Sequence, residues 1–414
     1  MRTYCKPKDV NIEDYTLIRR AVYLCCLGKL GRPEYRRLLV QTGRISRQEL
    51  EADLACSDYN RIHQALDEVA RQLQRDIKAR DLQMEGLHPF QRRDGLSGKL
   101  RTLCKESPYQ QICEYLVVEA LQPLFRAKLL PCQYGSIPGR GQVSGARKIE
   151  QAVRRKCKAD GTEAVKTDVH RAYPSTEVLM VLGLLRHDIG KNKPLLWLVY
   201  AVTANYPGGV LIIGGYLSTW LYNYVMSYMI REALAQHRVR RGKRIRCVAA
   251  VISYADDTVL LGRHSNLIRA TRAMERWARA HGLELKSCWQ WVRLSSFEGE
   301  RDNHAARRSG SKRRTPGIDM MGFVVRRGYT IIRRRIWRRI RRQLMRAMRE
   351  LTRSGYVPWW RAKRMSGYFG YFDRTNTADA AERYSVREIK DAASASEGWH
   401  ERRRYYASNL HGAA

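Results

Sequence analysis

The sequence predicts an α+β protein, a mixed centre flanked by helical regions. Three observations carry this. Apolar residues recur at three- and four-residue spacing near both ends, short apolar runs fill the stretch from Ala164 to Gly262, and helical segments lie between those runs. An apolar share of 44% over 414 residues is ample for real cores and for about two to four domains. Boundaries are expected near residues 88 and 325, giving segments 1–88, 89–325 and 326–414.

From Ile12 to about Leu82 the pattern is helical, with Leu17, Ala21, Leu24 and Leu27, then Leu66, Val69 and Leu73, as the apolar positions. Pro89 and the run Arg92 to Lys99 break it and read as a loop opening a basic hairpin. Gln110 to Phe125 is helical and ends before a second loop, Gln133 to Gly141. Ala164–Val165, Val210–Ile213 and Val248–Ile252 read as strands. No charge interrupts Pro194 to Ile230, but Asn205-Tyr206-Pro207-Gly208-Gly209 and Gly214-Gly215 divide it. Neither half is the run of about 20 apolar residues that a membrane span needs, so a buried strand–turn–helix is expected. Ser265 to Gly282 is an amphipathic helix, and the polar Gly299 to Pro316 segment reads as a mobile loop. From Arg333 to Glu350, Ile336, Ile340, Leu344 and Met348 recur amid arginines, which predicts an amphipathic helix with a cationic outer face.

Lys and Arg number 77 against 40 Asp and Glu, a formal charge of +37. Such an excess self-repels unless a polyanion neutralises it, so nucleic acid is the leading partner class, ahead of an anionic membrane. The ten cysteines include no C-x-x-C pair, which argues against zinc ribbons and a disulfide framework. The charged N-terminus lacks an apolar stretch, so free thiols in a reducing cytoplasm are expected.

Chemistry concentrates at Tyr254-Ala255-Asp256-Asp257, where two apolar runs flank two adjacent carboxylates at a hairpin turn. An Asx-type turn is the bland reading. Charges at the tip of a buried hairpin are costly without a neutralising cation, however. Asp168 ends a second extended segment, with Tyr173 five residues later. Three carboxylates converging this way suit two magnesium ions, with manganese an alternative. Two such ions can activate an attacking 3′-oxygen and stabilise leaving pyrophosphate.

Tyr254-Ala255-Asp256-Asp257 resembles the YxDD motif of reverse transcriptases, and Asp168 with Tyr173 resembles their D-x-x-x-x-[F/Y] motif. Gly214 to Asn223 is similar to the motif between those two. Gly282-Leu283-Glu284-Leu285-Lys286 is similar to the next one, and Gly317 to Phe323 resembles the primer grip. Lys99-Leu100-Arg101 and Tyr134 to Gly141 are similar to the fingers motifs of bacterial members. The resemblance spans about residues 90 to 375 and implies a right-hand polymerase fold. Its fingers and palm would occupy 89–325, a helical thumb and tail 326–414, and a helical N-terminal region would precede them.

Roles follow from that resemblance. Asp168, Asp256 and Asp257 would hold the metals, Tyr173 would exclude a 2′-hydroxyl, and Lys99 and Arg101 would clamp the triphosphate. Ile213, Gly214 and Ser218 would face the nucleotide, and Lys286 would protonate pyrophosphate. Arg140, Gly322, Phe323, Arg334, Arg338 and Arg342 would contact nucleic acid. The implied partners are a structured template RNA, a DNA or RNA primer and deoxynucleoside triphosphates, with an accessory protein left open and no membrane. Ile213, where many relatives carry Gln, resembles the error-prone enzymes of diversity-generating retroelements. Thr219, where those enzymes usually have Gln, keeps unclassified and phage-defence reverse transcriptases in view. An untemplated or protein-primed transferase and a non-catalytic maturase-like RNA binder are the other readings. About 90 residues after the primer-grip match leave room for a thumb but not for a ribonuclease H domain.

Overall fold

A computed structural model describes residues 4–56, 58–93, 100–156, 162–294 and 317–410. Lys99, Cys157 and the Gly299 to Pro316 segment lie outside the described residues.

The N-terminal region is helical, as its periodicity requires: α1 (Tyr15–Cys26), α2 (Pro33–Thr42), α3 (Arg47–Cys56) and α4 (Asn60–Ala79). The Asp14 carboxylate caps α1 by accepting from the Thr16 N–H at 2.9 Å. α4 buries Leu66, Val69 and Leu73 as expected. α1 differs from the leucine stripe read in sequence. It buries Ile18, Ala21, Val22 and Cys25, while Leu24 and Leu27 face outward. The small side chains at 21 and 25 let α1 approach its neighbours closely, which a leucine face would not allow.

A hairpin follows, β1 (His88–Arg93) paired with β2 (Leu100–Lys105), and its strands bracket the expected basic loop. The helix expected over Gln110 to Phe125 is two helices, α5 (Pro108–Ala120) and α6 (Gln122–Lys128). Pro123, which has no N–H to donate, sits in the first turn of α6 and breaks the run. α7 (Gln142–Lys156) comes next.

The central sheet has strand order β6 (Ala250–Tyr254), β7 (Asp257–Arg263), β3 (Thr162–Thr167), β8 (Gln290–Arg293), every neighbouring pair antiparallel. β3 (Thr162–Thr167) leads into α8 (Val178–Ile189), α9 (Lys193–Thr203) and α10 (Tyr216–Leu234). A small ribbon, β4 (His237–Arg240) with β5 (Lys243–Arg246), precedes the hairpin of β6 (Ala250–Tyr254) and β7 (Asp257–Arg263). α11 (His264–Ala280) and β8 (Gln290–Arg293) complete the unit.

The expected strand–turn–helix is instead helix–turn–helix. Asn192 caps α9, Pro194 occupies its first turn, and Leu195, Leu198, Val199 and Val202 form one buried helical face. Val210–Ile213 is not a strand either. Val210 makes only a single bridge with Glu177, because the chain turns away at Gly214 with φ +101°. Among the described residues no helix is long and apolar enough to cross a membrane.

A three-stranded sheet, β9 (Ile318–Met320), β10 (Phe323–Val325) and β11 (Thr330–Ile332), precedes α12 (Arg334–Ser354), α13 (Trp359–Phe369), α14 (Ala378–Arg383) and α15 (Val386–Leu410). α12 is the expected arginine helix. Ile336, Ile340 and Leu344 point inward, but Ala347 replaces Met348 in the buried stripe. Each four-residue step overshoots a 3.6-residue turn by about 40°, so after two steps the core face shifts to i+3.

The protein is therefore a mixed α+β chain with small antiparallel sheets. Its buried side chains form two clusters. One runs from Cys5 through the N-terminal helices, α5 and α8–α11 to Leu285. The other joins α7, one face of the central sheet, β9–β11 and α12–α15.

Candidate active site

β3 and β7 pair with Thr167 opposite Thr258. The next position on each strand is a carboxylate, so Asp168 and Asp257 leave the sheet side by side and Asp256 occupies the adjoining turn. Tyr254 pairs with Asp257 across that turn, leaving Ala255 and Asp256 as its two loop residues. Ala255 has φ +52°, a conformation costly for a residue with a Cβ.

The turn is held from outside the hairpin. The Tyr134 N–H donates to the Ser253 carbonyl, and the Ser253 N–H donates to the Cys132 carbonyl, both at 2.8 Å. This lays residues 132–134 along β6. The amide of Asn223 on α10 donates to the Gly135 carbonyl at 2.9 Å, and the Gln133 amide donates to the Asn223 carbonyl at 2.7 Å. Gly135 then lies directly against the turn: a Cβ there would sit 2.4 Å from the Ala255 nitrogen.

Asp168 is fixed by its backbone and one ion pair. The Lys286 N–H donates to the Asp168 carbonyl at 2.9 Å, and the His170 N–H donates to the Glu284 carbonyl at 2.8 Å. The Lys286 ammonium donates to Asp168 Oδ2, and this contact raises the lysine's pKa. Asp168 Oδ1 is buried and has no hydrogen-bond partner among the described residues. Lys166 Nζ lies 2.9 Å from Asp257 Oδ1 and donates to the Asp319 carbonyl at 3.1 Å. Asp256 has no side-chain donor among the described residues. Burial first, then the charges of Asp257 and Asp168, pushes its carboxyl up to about 6. Burial likewise raises Asp257, offset by Lys166.

The donor set consists of hard carboxylate oxygens with an excess of negative charge and one orphaned acceptor, which fits divalent magnesium or manganese. Among the described residues no three Asp, Glu, His or Cys side chains are already gathered as a ligand shell. Magnesium commonly needs only one or two carboxylates when substrate phosphates supply the rest.

Tyr173 stacks on Tyr222 with ring centroids 4.9 Å apart and lies beside the Thr219 side chain. The Tyr222 hydroxyl is fully buried without a partner among the described residues, and the field of Asp256 adds to burial in holding its proton on. The turn before α10 is shaped by Ser218, whose hydroxyl accepts from the Ile212 N–H at 3.1 Å. Beneath it, buried Glu114 accepts from the Leu217 N–H at 2.9 Å and from the Tyr206 hydroxyl at 2.7 Å. Glu114 also bonds to Glu106, whose carboxyl is pushed up to about 9 by burial and then by Glu114. Leu103 of β2 lies 3.9 Å from where a Cβ on Gly214 would be. Arg101 shares that face of the strand by its two-residue spacing.

The structure thus brings Asp168, Asp256, Asp257, Lys286 and Tyr173 together, with Arg101, Ile213 and Gly214 at one side. Other expected contact residues have different positions. Ser218 is buried and its hydroxyl is engaged by backbone. Arg140 donates to the carbonyls of Leu130 and Gln133 at 2.7 and 3.1 Å, holding the loop. Phe323 is fully buried against Tyr371. Gly322 is buried where a Cβ would come within 2.6 Å of the Tyr371 hydroxyl. Arg334, Arg338 and Arg342 lie on the exposed face of α12.

Sequence reasoning missed Lys166, Tyr222, Gln133 and Asn223. Only Lys166 left a signal, as a charge two residues before Asp168 that directly follows the apolar Ala164–Val165 run. Neither the protein-family models nor the curated proteins compared with the chain give a match.

Proposed function

We propose that this chain is an RNA-directed DNA polymerase with a right-hand arrangement, copying an RNA template into complementary DNA. The observation that carries the reading is the junction of β3 with the β6–β7 turn. It puts Asp168, Asp256 and Asp257 at adjoining positions of the sheet edge and turn, and among the described residues Asp168 Oδ1 has no partner. Asp168, Asp256 and Asp257 would hold two magnesium ions, or manganese. Metals held there would supply the charge that favours attack of a primer 3′-oxygen on the α-phosphorus and departure of pyrophosphate.

The chain's own residues supply the rest. Lys286 carries a proton on Nζ beside Asp168, available to the pyrophosphate oxygen as it leaves. The Tyr173 ring, braced by Tyr222, closes the space where a 2′-hydroxyl would sit. Arg101 on the fingers hairpin neutralises triphosphate charge, and the exposed arginines of α12 follow the template–primer backbone. Ile213 at the turn before α10 offers no hydrogen bond to nucleotide or template. This favours error-prone copying of the kind found in diversity-generating retroelements.

Incorporation of labelled thymidine triphosphate on poly(rA) with an oligo(dT) primer tests the reading. Wild type should extend the primer with magnesium or manganese, and the Asp256→Ala, Asp257→Ala double variant should not. Equal signals refute catalysis by these carboxylates. Incorporation without template or primer favours an untemplated transferase instead.

A further inference from the structure

The charge of the β4–β5 ribbon is not used by the site described above. It carries Arg238, Arg240, Arg241, Lys243, Arg244 and Arg246, and no acidic residue occurs between Glu232 and Asp256. Nearly every ribbon residue is exposed, including Val239 at 72%. Among the described residues none of the six cations makes an ion pair. The tip is Arg241-Gly242, with φ +49° and +74°, the two-residue turn that ordinarily selects Asn-Gly or Gly-Gly. An arginine held in the left-handed region costs of the order of 1 kcal/mol, yet it puts a guanidinium at the outermost point.

Arg238 ties the ribbon to α11. Arg238 donates to Asn266 Oδ1 at 3.1 Å and to the Ser265 hydroxyl at 3.4 Å. Ser265 begins a helical stripe on α11: Arg269, Arg272, Arg276 and Arg279 follow it at +4, +7, +11 and +14, and all four are exposed. Only Arg279 has an acidic partner among the described residues, Glu275 at 3.5 Å. The stripe runs about 21 Å at 1.5 Å per residue, and the ribbon adds about 13 Å at its head. Among the described residues no Phe, Trp or Tyr is exposed along it. Trp277 lies on another side of α11, stacked on Tyr228 and His281.

A long cationic track without stacking platforms reads phosphate backbone and helical shape rather than bases. Its near end, Arg263, is six residues of β7 from Asp257, about 20 Å from the carboxylates. We propose that the β4–β5 ribbon and the arginine stripe of α11 form a second nucleic-acid surface, which holds a double-helical part of a structured RNA outside the catalytic cleft. That the polyanion is RNA rests on the polymerase reading; that the surface binds a duplex backbone does not.

The test uses full-length protein carrying Arg241→Gln, Arg244→Gln, Arg269→Gln and Arg272→Gln together, and a matched set of lysine substitutions. Binding of a stem-loop RNA and of the DNA duplex of the same sequence is followed by fluorescence anisotropy over a salt series. Primer extension on poly(rA)/oligo(dT) is measured beside it. The glutamine set should bind the stem-loop about a hundredfold more weakly near 0.1 M salt. Its slope of log K against log salt should fall by about 3 to 4. The lysine set should keep wild-type binding, and extension should be unchanged in both. Unaltered affinity and slope in the glutamine set would overturn the proposal. So would a matching loss of extension, which would put these arginines in the catalytic cleft. An equal loss on the DNA duplex would overturn the assignment to RNA. Wild type that binds the stem-loop but extends no primer would overturn the polymerase reading alone.

Discussion

Asp256→Asn should stabilise the metal-free protein while abolishing polymerisation. In the fold, burial and two neighbouring carboxylates push the Asp256 carboxyl from 3.8 to about 6. A carboxyl raised in this way contributes stability in full below its unfolded pKa and loses it as pH rises through the folded value. Each unit corresponds to about 1.4 kcal/mol, so the shift removes about 3 kcal/mol between pH 4 and pH 7. The isosteric amide carries no charge and avoids that loss. Urea unfolding in EDTA should therefore find Asp256→Asn more stable than wild type by up to about 3 kcal/mol at pH 8. At pH 4 the two should be equal. Added magnesium should raise wild-type stability by mass action and leave the variant unmoved. A variant no more stable than wild type at pH 8 would refute the claim that Asp256 is an uncompensated charge. An equal gain at pH 4 would refute the electrostatic cause.

Gly135→Ala should cost about a hundredfold in turnover on primed template, because the added methyl must displace the Ala255 turn and small misplacements of reacting groups are expensive. Thermal melting should shift much less, and full activity would remove Gly135 from the support of the turn. Tyr173→Ala should raise incorporation of ribonucleotides relative to deoxynucleotides by about 10- to 100-fold, measured as a ratio of kcat/KM values; an unchanged ratio would reduce Tyr173 to packing. Glu106, pushed up to about 9, should make the fold lose stability steadily as pH rises from about 5 to 9. The sign is that of a carboxyl raised above its unfolded value. Glu106→Gln should flatten that slope in denaturant melts, and an unaltered slope would show that another group titrates.

The carboxylates were legible because they interrupt apolar strands, where charge needs a reason. Leu66, Val69 and Leu73 were legible because one helical face has one period. The leucine stripe of α1 misled because leucine, alanine and cysteine pack differently and only the neighbour decides which face is chosen. Val210–Ile213 reads as a strand for a related reason: a short, wholly apolar run has no periodicity to display, and the Gly214-Gly215 pair after it was the better signal. At the site, Ser218, Phe323 and Gly322 were read as contact residues although their burial shapes the surface from beneath. Motif spacing marks a position as constrained without saying whether ligand or core imposes the constraint. Gln133 and Asn223 escaped notice because their bonds join segments about 90 residues apart, a pairing that only the folded chain reveals.

The cluster that begins at Cys5 ends at Leu285. α1 packs on α5, which in turn packs on α9 and α10, and the Asn192 amide donates to the carbonyls of Cys5 and Val10 at 2.9 Å. During synthesis the first four helices therefore leave the ribosome with an apolar face whose partners are not yet made. At about 5–20 residues per second, that face waits roughly 2 to 8 seconds for α5. Until α5 emerges that face is exposed or covered by a compact non-native arrangement, before Asp168, Asp256 or Asp257 has been made.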